Sequence, residues 1–247
     1  MNQHHDASTS VLERIKADKL LRAGFFLPQY ERDEATGVIK GHGTGHAGID
    51  LSHALAKQLG VHARIDGYPT PSKVVEMLKS GECDIAFLGI EPGRAAQLDF
   101  SPAIFQFDYT FLVPPGSMLT SVASSDRPGV RIAIVGNHAS TLALKNLYKH
   151  AELIGSELPD EAFALIRAGG ADAFALPRDR LLDYAREWPG ARLLDDNYGV
   201  NNVGAAVAKG QGKWLACVSA FVEGAKASGF VAASIERGAL FGFRVAP

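Results

Sequence analysis

Arg94 and Glu91 are the side chains whose types and spacing best suit recognition of a charged organic molecule. Arg94 follows the apolar run from Asp84 to Gly89, and its guanidinium offers a planar fork of donors that fits a carboxylate. Glu91, three residues earlier, can pair with Arg94, bind a cationic group of a ligand, or remain a solvated charge. Arg94 is therefore either a candidate for binding a carboxylate or an ordinary surface arginine at the start of a helical turn.

A second group of candidates lies near the middle of the chain. Asn137, His138 and Ser140 stand between a predicted strand and a predicted helix for which Ser140 is the expected N-terminal cap. Backbone N–H groups at a helix N-terminus favour an anion, so this loop is a candidate anion contact. The alternative for His138 is an ordinary loop histidine that touches no ligand.

Other motifs with chemical potential are not expected to carry function. His42 and His46 are four residues apart, but they fall in a predicted glycine loop with no acidic or cysteine partner at metal spacing. The glycines there do not match a dinucleotide fingerprint, and no G-x-S-x-G nucleophile elbow occurs. Cys83 and Cys217 are predicted to be buried, apolar-like residues. We expect no metal, no cofactor and no catalytic residue.

Composition narrows the class of protein further. The chain has 247 residues and a net charge of −2. It therefore lacks the excess of basic residues that binding to nucleic acid requires. Its two cysteines exclude a disulfide scaffold, and no apolar run approaches the roughly 20 residues of a membrane helix. Met1 to Ser10 lacks the apolar core of a secretory signal, so we expect a chain without an export signal.

Strand and helix patterns alternate along the chain, which favours an α/β fold. Leu20 to Phe26 is predicted as a buried strand, and Asp33 to Gly45 as a turn or hairpin loop. Ile49 to Leu59 is predicted as a helix that ends at Gly60, and Thr70-Pro71 as the start of the next helix. No internal repeat is evident.

Four segments carry a resemblance to a known family. They are LRAGFF at Leu21, LKSGECDIAFLGIEPGRAAQLDFSPAIF at Leu78, VRIAIVGNHAS at Val130 and LIRAGGADAFALPRDRLLDYA at Leu165. Their order resembles the type II periplasmic solute-binding proteins, in particular the family 3, amino-acid-binding-like group of ABC importers. The resemblance extends from about Leu20 to Leu240.

The resemblance implies a two-lobed, Venus-flytrap α/β fold whose lobes are joined by two crossing strands. Residues 1–19 would be a tail, residues 20–105 plus 201–247 lobe 1, and residues 106–200 an inserted lobe 2. A ligand would be held in the cleft between the lobes by hinge closure.

The resemblance also implies roles for residues of lobe 1. Arg94 matches the arginine that clamps a ligand carboxylate, whereas Gly89 and Glu91 stand where relatives usually carry small hydroxyl residues. Phe26, Gln29 and Tyr30 follow the first strand, where the family places cleft residues. Core packing is the alternative for Phe26, and Tyr30 is expected to be exposed.

In lobe 2, Asn137, His138 and Ser140 match the family's anion loop. Pro177 stands where relatives that bind α-amino acids have an acidic residue, and Asp179 follows two residues later. The ligand is therefore either a carboxylate without an amine or one whose cation is bound by Glu91 or Asp179.

The expected function is capture of a small, carboxylate-bearing solute, amino-acid-like or an organic acid, by a monomer that delivers it to an ABC permease. One alternative is an enzyme resembling cyclohexadienyl dehydratase, although Pro177 removes an acidic position that such chemistry needs. Another is a cytosolic sensor or orphan binder. The resemblance implies a periplasmic location, and the missing export signal keeps a cytoplasmic one open.

Overall fold

The described part of the chain forms two compact units. The computed structural model describes residues 10–136 and 138–247, apart from the side chain of Pro28. The first unit runs to Gln106 and resumes over Asn202–Leu240 and Arg244–Pro247. The second unit comprises Phe107–Asn201 and Phe241–Phe243. Asn137, a candidate anion contact, lies outside the described residues.

Helices and strands alternate in both units. The first unit contains α1 (Val11–Asp18), β1 (Leu20–Phe26), β2 (Tyr30–Arg32), β3 (Ile39–Gly41), α2 (Thr44–Leu59), β4 (His62–Tyr68), α3 (Pro71–Ser80), β5 (Ile85–Gly89) and α4 (Pro92–Ala95). The long strand β6 (Leu98–Val113) leads into the second unit. There follow β7 (Arg131–Val135), α5 (Ala139–Leu147), β8 (Glu152–Ser156), α6 (Pro159–Arg167), β9 (Ala173–Pro177), α7 (Arg178–Arg186) and β10 (Arg192–Leu193). The chain then continues through β11 (Gly199–Ala208), α8 (Gly212–Ala227), α9 (Phe230–Arg237) and β12 (Phe243–Val245).

Each unit is built on a mixed sheet. In the first, the strand order is β4-β1-β5-β11, with β1 parallel to β4 and β5, and β11 antiparallel to β5. In the second, the order is β6-β9-β7-β8, with β7 parallel to β8 and β9, and β6 antiparallel to β9. The parallel strands with helical connections are those of an α/β protein.

Local sequence signals explain several helix boundaries. At the start of α3 the Thr70 hydroxyl accepts a hydrogen bond from the backbone N–H of Lys73 at 3.1 Å. The helix ends at Gly81, whose φ of 78° is one that glycine adopts without strain. The predicted start at Thr70-Pro71 is thus confirmed.

Helix α2 begins five residues earlier than predicted, at Thr44 instead of Ile49. The reason is tertiary packing, because a Cβ atom on Gly45 would lie 2.0 Å from the carbonyl oxygen of Gln29. The glycines there allow a helix to approach the chain closely. His46 therefore lies on a helix and not in a loop.

An arginine–aspartate pair occupies the same position in each sheet. Asp84 directly precedes β5 and accepts hydrogen bonds from the Arg22 backbone at 2.8 Å and from its Nε and Nη2 atoms at 3.2 and 2.7 Å. Asp172 directly precedes β9 and accepts the same set from Arg131, at 2.9, 3.3 and 2.9 Å. A repeated structural plan, not evident from the sequence, therefore underlies both units.

Asp84 also accepts a hydrogen bond from Arg14 of α1, and its backbone carbonyl accepts one from the indole of Trp214 at 2.8 Å. Trp214 belongs to α8, so both helices are fixed to the start of β5. No single helix among residues 10–136 and 138–247 is long and apolar enough to cross a membrane.

Candidate functional site

Arg94 lies just beyond the carboxyl end of β5, on the short helix α4. Its Nη1 atom donates a hydrogen bond to the carbonyl of Gly89 at 3.2 Å and lies 3.6 Å from Oε1 of Glu91. The Arg94 side chain is 25% exposed. Both contacts, as far as the described residues show, involve Nη1. The N–H groups of Nε and Nη2 can therefore donate to a carboxylate. Glu91 orients the guanidinium and is itself accessible.

The segment after β1 lies at the same edge of this sheet, because β1 and β5 are adjacent and parallel. Phe26 is partly buried against the core cluster that contains Leu88. Gln29 is buried, and its amide accepts a hydrogen bond from the Phe26 N–H at 3.2 Å and donates one to the Thr44 hydroxyl at 2.7 Å. Gln29 thus holds the loop in place.

The expectation that Tyr30 is exposed is wrong. Tyr30 is 9% exposed, and its ring packs edge-on against Phe25 with the centroids 6.2 Å apart. Burial raises the pKa of its hydroxyl, and nearby Arg32 partly offsets that increase. A Cβ atom on Gly67 would meet the Tyr30 hydroxyl, which shows how closely β4 approaches this ring.

In the second unit, His138 and not Ser140 caps α5. The Nδ1 atom of His138 accepts a hydrogen bond from the Ser140 N–H at 3.2 Å and lies 2.7 Å from the Ser140 hydroxyl, which is buried. Burial lowers the pKa of His138, with a smaller contribution from Arg180. Burial thus favours the neutral ring. Because Nδ1 accepts from the Ser140 N–H, the neutral form carries its proton on Nε2, from which it can donate a hydrogen bond to an anion.

Asp179 lies in the first turn of α7, in the same unit. Its Oδ1 atom is buried and has no hydrogen-bond partner among the described residues. Burial raises the pKa of this carboxyl from 3.8 to about 6, although the Arg180 backbone and side chain oppose the shift. A buried acceptor without a donor is costly, and a ligand ammonium or hydroxyl would remove that cost.

The structure brings His138 and Asp179 to one edge of the second sheet. They follow β7 and β9, which are adjacent and parallel, so the loops after both strands meet there. Arg180 contributes to the pKa of both groups and is a candidate that the sequence patterns did not indicate. Its position directly after Asp179 was the one signal that could have found it.

Neighbouring residues are occupied by structural contacts. Pro177 is the last residue of β9 and pairs in register with Tyr109. Arg178 donates to Asp108 at 2.7 Å and to the carbonyls of Leu194 and Asp195 at 2.9 and 3.0 Å. Arg178 therefore stabilises the unit instead of reaching a ligand.

The two histidines for which no function was expected do have acidic neighbours. His42 Nε2 lies 2.6 Å from Oε1 of Glu31, and His46 Nε2 lies 3.7 Å from Oδ2 of Asp50. Asp50 also accepts hydrogen bonds from Ser234 and Arg237. Among the residues that the structure describes, no three His, Cys, Asp or Glu side chains come together at a metal-binding distance.

The cysteines differ from one another. Cys83 is buried, as expected, and its Sγ atom lies 3.1 Å from the Tyr68 hydroxyl. Cys217 on α8 is only partly buried, which corrects the expectation for this residue. Both are free thiols.

The fold and these edge residues define a type II solute-binding protein. The family model for the bacterial extracellular solute-binding proteins, family 3, matches residues 33–237, and the chain belongs to this family. The expected α/β, two-lobed fold and the family resemblance are therefore confirmed. It is a family of binding proteins that take small ligands.

Three relatives illustrate the similarity. The glutamine-binding protein of Geobacillus stearothermophilus is 27% identical over 213 residues, which cover 82% of this chain and 78% of that protein. The ABC transporter glutamine-binding protein GlnH of Bacillus subtilis is 26% identical over 185 residues, 73% of this chain and 67% of that protein. The solved structure of an ancestral cationic amino acid solute binding protein, AncCDT-1, is 26% identical, with a TM-score of 0.71, and covers 92% of this chain and 99% of that chain.

Proposed function

We propose that this protein captures a small, amino-acid-like solute through its carboxylate and delivers it to an ABC permease. The lobe boundaries, the interlobe cleft and the hinge closure expected from the sequence are part of this proposal. The proteins similar to this chain include glutamine-binding and cationic amino acid-binding proteins, which supports a ligand of this class. Following the family, we place its action outside the cytoplasmic membrane.

The observation that carries the proposal is the placement of Arg94. A guanidinium at the carboxyl end of β5, oriented by Gly89 and Glu91 through one nitrogen, can present its other donors to a carboxylate. Phe26 follows the neighbouring strand and would supply apolar surface, while Gln29 positions that loop and the buried Tyr30 packs against Phe25.

We assign the ligand's cation to Asp179. The family's acidic position is occupied by Pro177, yet Asp179 provides a buried carboxylate whose Oδ1 has no donor among the described residues. Glu91 is the alternative acceptor, but it already lies beside Arg94. His138 and Ser140, together with Asn137, would contact an uncharged or anionic part of the ligand.

A thermal-shift screen tests the proposed ligand class. It compares the standard α-amino acids with matched carboxylates that lack the amine, such as alanine with propionate. At least one amino acid should raise the melting temperature, and its amine-free analogue should not. If only amine-free acids stabilise the protein, the role of Asp179 is wrong, and a screen silent for both classes contradicts the proposed function.

Replacement of Arg94 tests the carboxylate contact. Calorimetry with the ligand from the screen should show that Arg94→Ala weakens binding by about 100-fold or more, because truncation leaves a ligand charge unpaired. Arg64→Ala is the matched control, since Arg64 is an exposed arginine of the same unit that pairs with Asp66 at 2.9 Å. An unchanged affinity of Arg94→Ala would exclude Arg94 from the site.

A further inference from the structure

The chain crosses from one unit to the other at β6 and at β11. Near its C-terminal end it crosses a further time and returns. Phe241–Phe243 belongs to the second unit, whereas the residues on either side, Asn202–Leu240 and Arg244–Pro247, belong to the first. The last strand, β12, begins at Phe243 and pairs with β6. β6 also pairs with β11.

Ring contacts hold Phe241–Phe243 to the second unit, and Gly242 fits closely against it. The ring of Phe243 packs against Phe107 with the centroids 4.9 Å apart, and the Arg186 guanidinium lies 5.8 Å from the ring centroid of Phe241. Gly242 has a φ of 83°, and a Cβ atom there would approach the Arg178 side chain to 3.3 Å. The segment is thus a close-fitting turn.

The following residues are held equally well by the first unit. The N–H of Ala246 donates to the carbonyl of Ile104 at 3.0 Å, and Arg244 donates to Gln106 at 3.3 Å. Lys226 of α8 donates to the carbonyl of Pro247 at 2.8 Å. Both ends of the passage are therefore anchored.

We propose that Phe241–Phe243 is a tether that narrows the hinge motion of the protein. A hinge motion requires φ and ψ changes in a few residues that connect the moving parts. A third segment that is hydrogen-bonded to β6 restricts these dihedral angles. Restricting the unliganded state in this way lowers the entropy that a ligand must remove on binding. The inference rests on the hinge closure of the proposed function, but its test needs no ligand.

Single-molecule fluorescence energy transfer in the full chain without ligand tests the tether. Dyes are attached to Lys57→Cys on α2 and Lys145→Cys on α5, both exposed positions. Cys217→Ser removes the partly buried thiol, and Cys83 stays unlabelled because it is buried, with a pKa raised to about 11. Phe243→Ala should broaden the distance distribution relative to the parent protein.

Phe230→Ala is the matched control, because Phe230 is also a partly buried phenylalanine beside an arginine, Arg237, but lies in α9. It should leave the distribution unchanged. Arg186→Ala is a milder second variant that removes the contact with Phe241 together with an exposed ion pair to Asp183 on the same helix, and it should broaden the distribution less. The proposal is overturned if folded Phe243→Ala and Arg186→Ala match the parent, or if Phe230→Ala broadens the distribution equally.

Discussion

At the scale of single residues, Asp179 combines a structural cost with a proposed binding role. Its pKa is raised from 3.8 to about 6 by burial, so the folded state holds a proton that the unfolded chain has released between these values. The contribution of Asp179 to the free energy of unfolding therefore falls as the pH rises from about 4 to about 6, whereas that of His138, whose pKa is lowered, rises. A group that lowers stability at neutral pH is typical of a functional site.

We predict that Asp179→Asn stabilises the protein at neutral pH. The gain should be at most about 3 kcal/mol at pH 7, because a shift of one pKa unit corresponds to about 1.4 kcal/mol. It should shrink as the pH falls toward 4 and vanish below about pH 3, where the carboxyl of the parent protein is protonated in both states. Urea denaturation across this pH range measures the difference.

Asp183→Asn provides the control, because Asp183 is an exposed aspartate of the same helix, α7. Its effect should be small and should lack the change between pH 4 and 7. A stability difference between Asp179→Asn and the parent that stays constant from pH 4 to 7 would show that Asp179 titrates normally.

Asp179 also gives ligand binding a pH dependence. Only the ionised carboxylate attracts an ammonium, so the affinity for an amine-bearing ligand should rise as the pH increases through about 6. Asp179→Asn should bind more weakly at pH 7 and lose this dependence, although the variant is more stable. Calorimetry at pH 5 and 7 measures both effects. If the variant retains full affinity, the cation is bound elsewhere.

At the scale of helices and strands, close packing at glycine decides where α2 begins. Gly45 lies in the first turn of this helix, against the carbonyl of Gln29, whereas a Cβ atom on Gly224 of α8 would meet no atom within 4 Å. The same substitution should therefore have opposite effects at the two sites.

We predict that Gly45→Ala destabilises the protein by about 1–3 kcal/mol, because the methyl group meets backbone that cannot move away. Gly224→Ala should stabilise it by about 0.5–1 kcal/mol through helix propensity. Thermal and urea unfolding measure both. Equal effects at the two glycines would mean that the Gln29 contact does not determine the start of α2.

The helix starts also show what the sequence could predict. The α3 boundaries follow from Thr70, Pro71 and Gly81, because a capping hydroxyl, a proline and a terminal glycine act within one turn. The earlier start of α2 and the burial of Tyr30 depend on contacts between distant segments. His138 as a cap was missed because its imidazole takes the place of the expected serine hydroxyl.

The same distinction applies to the candidate site. The sequence indicated His138 and Asp179 as separate candidates, and the parallel pairing of β7 with β9 in the structure is what places them at one edge. The burial of Asp179 Oδ1, which has no hydrogen-bond partner among the described residues, depends on packing around α7, which spacing alone does not reveal.

At the scale of the whole molecule, the paired arginine and aspartate fix each sheet at the ends of the strands remote from the candidate site. The side chain of Asp84 is fully buried and contacts Arg14 and Arg22, whereas that of Asp172 is 38% exposed and contacts Arg131. The pairs share a geometry but differ in their access to water.

We predict that Asp84→Asn costs about 3–5 kcal/mol of stability, because it leaves buried guanidinium groups without their anion. Asp172→Asn should cost about 1 kcal/mol or less, since solvent screens an exposed pair. Urea denaturation of both variants gives the comparison. A loss at Asp172 as large as that at Asp84 would contradict the argument from burial.

The repeated plan has a consequence for how a solute can be oriented. Counted from the shared aspartate, Glu91 and Asp179 stand at the same step, seven residues on, so each half of the protein contributes an acid there. Three residues further, the halves differ: the first has Arg94 and the second has Leu182. Under the proposed function, this difference between Arg94 and Leu182 would orient the solute. Its carboxylate would be bound by the first unit and its cation by the second.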